Sequence, residues 1–176
     1  MRLPNSITAL DGRISDSLPV PGPVAGLFWR LVTGGGYGEI WGPIYLALIV
    51  WPPGRLLGFE LLAAEILGLA VLIPLRYVFR RPRPVAKKPG PVPVPWERYS
   101  FPSSHALRAT EAAAVLGVNF PWLWFVALPL ALVVAWSRVV LRRHYTSDAV
   151  AGVVIGLACG LVAATLVPVL AGALQR

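Results

Sequence analysis

Apolar residues run in long, nearly unbroken stretches along most of this chain, and polar residues are confined to short intervals between them. Stretches at about 37–52, 55–79, 104–119, 121–141 and 146–171 read as membrane-crossing helices, each near the ~20 residues a bilayer requires or somewhat short of it. Trp51-Pro52-Pro53-Gly54 and Asn119-Phe120-Pro121 predict tight turns. The interval 80–102 is basic, rich in proline and too polar for lipid, so it predicts a long connection at the membrane surface. Residues 1–36 differ from the rest. They hold short amphipathic pieces interrupted by Pro19, Pro21 and Pro23 and by Gly34-Gly35-Gly36, a pattern suited to helices lying in the interface. The predicted fold is all-α, a polytopic membrane bundle of about five to six helices. It has an interfacial lead-in over 1–36 and a membrane domain over 37–176, and no internal repeat is evident.

Tight turns on one side and a long connection on the other make successive helices antiparallel. The end of the second span, the start of the third, the end of the fourth and the start of the fifth then meet at one membrane face. Three polar stretches map to those ends: Arg76 to Pro84, Pro102-Ser103-Ser104-His105, and Ser137-Arg138 followed by His144 and Asp148. The chain has 2 histidines, and both lie in these stretches.

Composition narrows the class. Of 176 residues, 56% are hydrophobic and only 14% charged, which excludes an ordinary soluble domain. The first twenty residues carry Arg2, Asp11, Arg13 and Asp16 without an apolar run, so a cleaved secretory signal is not expected there. The single cysteine, Cys159, sits in an apolar run and reads as packing. Net charge is +8, and ten of the 16 Lys and Arg fall within 76–98 or 138–143, which implies an anionic partner. Nucleic acid is not expected, because these basic patches lie between spans and lack interleaved aromatics. Arg80, Arg81, Lys87, Lys88, Arg142 and Arg143 read as membrane-surface charge. Glu60, Glu65 and Glu111 fall inside spans and need partners there, Arg108 with Glu111 being the expected pair three residues apart.

The chemistry available at the shared face is that of a phosphate. His144 and Asp148 are four residues apart, so on a continuous helix the carboxylate would hold one imidazole nitrogen and leave the other nucleophilic. Attack on phosphorus would then give a phosphohistidine. A merely structural His–Asp pair is the competing reading. Pro102-Ser103-Ser104-His105 predicts a helix start whose first amide groups favour an anion, with His105 placed to protonate a leaving group. A plain helix cap with an incidental histidine fits the same residues. Arg76, Arg83 and Arg138 supply planar cations that bind phosphate oxygens bidentately, and two histidines with scattered carboxylates do not suggest a metal cage or any other cofactor.

In order and spacing the three stretches resemble the signature of the type 2 phosphatidic acid phosphatases, a lipid phosphate phosphatase family related to vanadium haloperoxidases and bacterial acid phosphatases. Its first motif is Lys, six residues, Arg-Pro; here Arg76 replaces the Lys before Arg83-Pro84. Its second is Pro-Ser-Gly-His, matched by 102–105 with Ser104 at the Gly position. The third matches without a gap at Ser137, Arg138, His144 and Asp148. The resemblance covers roughly 39–170. It implies a metal-independent hydrolase of membrane lipid phosphates or diphosphates, with His144 as nucleophile, Asp148 as its orienter and His105 as general acid. Arg76, Arg83, Ser103, Ser104 and Arg138 would hold phosphate. Polyprenyl diphosphates and glycerolipid phosphates are the substrates favoured; phosphoryl transfer to another acceptor, or binding of anionic lipid without catalysis, are the alternatives. Basic residues at the site face argue for the cytoplasmic side, but bacterial relatives favour the outer face of the cytoplasmic membrane. Oligomeric state is not readable.

Overall fold

The computed structural model describes residues 3–85 and 94–174; Lys87 and Lys88 lie outside the described residues. Seven α-helices occur among them: α1 Asn5–Ser17, α2 Pro23–Val32, α3 Gly38–Val50, α4 Arg55–Phe79, α5 Ser104–Asn119, α6 Trp124–Val140 and α7 Thr146–Leu174. There is no strand among the described residues, and 3₁₀ turns at Thr33–Gly36, Pro52–Gly54, Pro95–Arg98 and Pro121–Leu123 join several of the helices. The all-α bundle is therefore the observed fold, with helices at all five expected spans.

Three helical stretches have the length and apolarity to cross a membrane: Pro52–Phe79, Pro121–Val140 and Thr146–Leu174. The chain is a multi-pass membrane protein. α3 and α5 are shorter than expected for spans, at 13 and 16 residues; these rise about 20 and 24 Å, against a hydrocarbon core of about 30 Å. For α5 the reason is its place. It packs against α4, α6 and α7, and Ala106, Leu107, Ala109, Ala112, Ala113, Ala114 and Val115 are all buried. A helix sheathed by others need not match the thickness of the lipid.

Backbone proximity holds this centre together. Gly152, Gly156 and Gly160 recur every fourth residue on α7 and face α5. A Cβ at Gly156 would overlap Thr110 Oγ1 and the carbonyl oxygen of Leu107, and one at Gly152 would lie 2.5 Å from the Ser103 carbonyl oxygen. Small residues at this spacing let membrane helices approach closely. Gly156→Val should cost about 3 kcal/mol, since backbone carbonyls cannot move aside as a side chain would; a thermal melt in detergent measures it.

Charges inside the bundle pair across helices. Arg108 on α5 binds Glu65 on α4 through Nε to Oε2 (2.7 Å) and Nη2 to Oε1 (2.5 Å), and donates to the Gly36 carbonyl at 2.8 Å. The expected Arg108–Glu111 pair does not form. α5 turns Arg108 toward α4, whereas Glu111, 2% exposed, has no hydrogen-bond partner among the described residues. Glu60 accepts from Asn119 Nδ2 at 2.5 Å.

Candidate active site

The ends of α4, α5, α6 and α7 that carry the three polar stretches meet, as the alternation of helices requires. α4 stops because Arg80 takes a left-handed conformation, φ 46°, with its N–H donating to the Arg76 carbonyl at 2.9 Å. The chain then turns, and 81–83 cross the helix ends. α6 stops at Val140, and Arg142, also left-handed at φ 52°, completes a turn in which the N–H groups of Arg143 and His144 both donate to the Arg138 carbonyl (2.9 and 3.1 Å).

This turn fixes His144, which is 1% exposed. Its Nδ1 lies 2.7 Å from the Ser100 carbonyl oxygen and its Nε2 3.0 Å from Arg83 Nη1. The carbonyl can only accept and the guanidinium can only donate, so neutral His144 carries its proton on Nδ1 and a lone pair on Nε2. Burial, followed by the charges of Arg83, Arg138 and Arg76, pushes the His144 pKa well below the ordinary value of 6.5, against the pull of the Ser100 carbonyl.

Asp148 is not the direct hydrogen-bond partner expected for His144. Its Oδ2 accepts the Tyr145 N–H at 2.9 Å and stands 3.7 Å from His144 Nδ1. The expectation assumed a continuous helix, but α7 begins only at Thr146, so His144 lies in the preceding turn and its Nδ1 proton goes to Ser100 instead. Asp148 remains close enough to face a positive charge on the imidazole.

Arginines ring the histidine. Arg76, 1% exposed, donates from Nε and Nη2 to the Pro102 carbonyl at 3.3 and 3.1 Å. Arg83 donates from Nε and Nη2 to the Glu97 carbonyl at 3.0 and 2.7 Å, and from Nη1 to the Arg143 carbonyl at 3.1 Å. Arg138 donates from Nη1 to Thr33 Oγ1 at 2.7 Å, and its Nε has no partner among the described residues. Ser103 is buried and caps α5, its hydroxyl accepting the Ala106 N–H at 3.5 Å and its own N–H donating to the Asp148 carbonyl at 3.0 Å. That amide is therefore committed within the fold. Ser104 opens α5 and is half-buried.

His105, in the first turn of α5, stacks edge-on to Tyr37 with ring centroids 5.0 Å apart. Both its ring nitrogens are buried without a hydrogen-bond partner among the described residues. Gly36 lies so close that a Cβ there would sit 2.6 Å from His105 Cβ. No group of three or more His, Cys, Asp or Glu among the described residues is placed to hold a metal ion.

Ser100, Thr33, Tyr37, Arg81 and Asp11 escaped the sequence reading. Arg81 was expected as surface charge, yet it is 9% exposed and binds Asp148 Oδ1 at 2.7 Å. Its place inside the first motif, two residues before Arg83, was the available signal; Thr33 and Asp11, far away in the lead-in, offered none.

Residues 57–170, well over half of the chain, match the model of the PAP2 superfamily. The chain belongs to the PAP2 superfamily. An undecaprenyl-diphosphatase of Sulfolobus acidocaldarius is 29% identical over 125 residues, covering 66% of this chain and 58% of that protein, less than two thirds of its length. Two solved structures share the fold at 21% identity. They are a transmembrane PAP2-type phosphatidylglycerolphosphate phosphatase from Bacillus subtilis, with TM-score 0.71 over 98% of this chain and 90% of that one, and LpxE from Aquifex aeolicus, with TM-score 0.72 over 93% and 98%. PAP2 membership agrees with the resemblance read from the three motifs.

Proposed function

We propose that this protein hydrolyses a phosphate or diphosphate group from a membrane lipid through a phosphohistidine on His144. The observation that carries the reading is the fixed tautomer of His144, with its proton held by Ser100 and its Nε2 lone pair among arginines at the meeting of four helix ends. Nε2 attacks phosphorus as the bond to the leaving oxygen breaks, and His105 gives that oxygen a proton. Water, losing its proton to His105, then cleaves the N–P bond, which releases phosphate and restores both histidines. During the covalent stage the imidazole is cationic, and Asp148 at 3.7 Å offsets that charge.

Arg76, Arg83 and Arg138, with the hydroxyls of Ser103 and Ser104, hold the phosphoryl oxygens, so in this reading the developing charge is met by guanidinium groups without a metal. Polyprenyl diphosphates, suggested by the name of the Sulfolobus relative, and glycerolipid phosphates are the substrate classes favoured. The lead-in lies on the membrane surface, where exposed Val24, Leu27, Phe28 and Leu31 of α2 meet lipid. The site opens at the outer face of the cytoplasmic membrane. Arg76, Arg81 and Arg138 are buried in site contacts, so part of the basic excess at this face belongs to the site and does not report membrane orientation.

The test is phosphate release by detergent-purified protein from a panel of these lipids with EDTA present. Release that survives EDTA is expected; no release from any lipid, with or without divalent metal, overturns the reading. The pH profile adds a second check. Because His144 is held below 6.5, its nucleophilic form persists as pH falls through that value, so the acid limb of kcat/KM should lie well below 6.5.

A further inference from the structure

Beside Asp148 lies a buried charged cluster that no step of this reaction uses. Arg81 donates from Nη1 to Asp148 Oδ1 at 2.7 Å and to Ser147 Oγ at 2.8 Å, and from Nη2 to Asp11 Oδ2 at 2.6 Å. Its guanidinium lies 3.9 Å from the centroid of the Tyr145 ring. Asp11 comes from α1, yet it is 2% exposed. It also accepts the Ser147 N–H at 2.9 Å and the Ser147 hydroxyl at 2.5 Å, so its carboxylate sits on the first turn of α7, where exposed amides favour negative charge.

A carboxylate anchored at one oxygen can still swing. Asp148 is anchored at both, Oδ1 by Arg81 and Oδ2 by the Tyr145 N–H, and this leaves Oδ2 turned toward His144. The Arg81 fork is itself held by Asp11 on one side and by the Tyr145 face below it. Each anchor therefore depends on the next, from α1 inward to the histidine.

We propose that Arg81 and Asp11 are positioning residues for the reaction, fixing the Asp148 carboxylate against the imidazole of His144. The N-terminal helix α1, outside the family-matching segment 57–170, is then a working part of the site. This inference rests on His144 being the nucleophile and Asp148 its charge partner. A cluster that only fastened α1 to the bundle would have the same contacts, but its loss would act without reference to Asp148.

A kinetic cycle separates the two. Asp11→Asn and Arg81→Lys are each measured alone and combined with Asp148→Asn, on a lipid phosphate that the parent turns over. Each single change should lower kcat about tenfold while KM stays within about twofold, because the carboxylate is misplaced rather than the substrate released. In the Asp148→Asn background the same changes should alter kcat by less than about twofold. Asp11→Asn keeps the shape of the side chain and Arg81→Lys keeps its charge, so folding, followed by thermal melt and size exclusion, should survive at least one. Losses that repeat in full without Asp148, fall on KM alone, or follow the unfolded fraction overturn the proposal. A parent inactive on every lipid overturns the function and this inference together, whereas an active parent with additive losses overturns only the inference.

Discussion

Replacing His144 by alanine should lower phosphate release by about 10⁴-fold or more, to the edge of detection. Phosphate esters are among the slowest of biological bonds to break without help, and the proposed route lowers the barrier by splitting one displacement into two. Without Nε2 there is no first displacement. The arginines would still bind the substrate, so KM should change far less than kcat. Acid-labile, alkali-stable phosphate on the protein, trapped by rapid quenching during turnover of the parent, should be absent from the variant. A phosphorylated His144→Ala protein, or one retaining near-normal turnover, would place the nucleophile elsewhere.

His105→Ala should cost about 10²- to 10⁴-fold in kcat, the usual worth of a positioned general acid. The size of the loss should depend on the leaving group, which distinguishes this variant from the first. A lipid monophosphate must expel a strongly basic alkoxide and needs the proton most. A diphosphate expels a phosphate ester, which departs more readily, so the same substitution should harm it less. Equal losses on both would remove His105 from the acid role. The protein should remain folded, because neither ring nitrogen has a hydrogen-bond partner among the described residues, and alanine keeps the Cβ that lies against Gly36 while giving up the ring contact with Tyr37.

The path of the chain was legible in its sequence because membrane helices obey a one-dimensional rule: apolar length sets each element and breakers set each turn. Once the helices alternate, Arg76, Arg83, His105, Arg138, His144 and Asp148 must gather at one end, and they do. Pairings that depend on how each helix is rotated were not legible. Spacing pointed Arg108 at Glu111 on its own helix, whereas the bundle turns it to Glu65 on α4. Spacing likewise joined His144 to Asp148, but the break between Val140 and Thr146 put a carbonyl from the long connection, Ser100, in between. The contributions of the lead-in were invisible for a related reason. Asp11 and Arg81 are 70 positions apart, and nothing local marks one as the partner of the other.

The glycine seam on α7 has a mechanical consequence for the chemistry. His105 is mounted on α5 and His144 immediately before α7, and these two helices meet with almost no side chain between them at Gly152, Gly156 and Gly160. A layer of leucines there would act as a soft spacer, free to repack as temperature or surrounding lipid changed. Backbone against backbone is stiff, and the Ser103 N–H to Asp148 carbonyl bond pins its upper end. The separation of His105 and His144 is thus set by direct backbone contact rather than by adaptable side-chain packing, so a bilayer that thickens or thins around the outer helices should leave it almost unchanged.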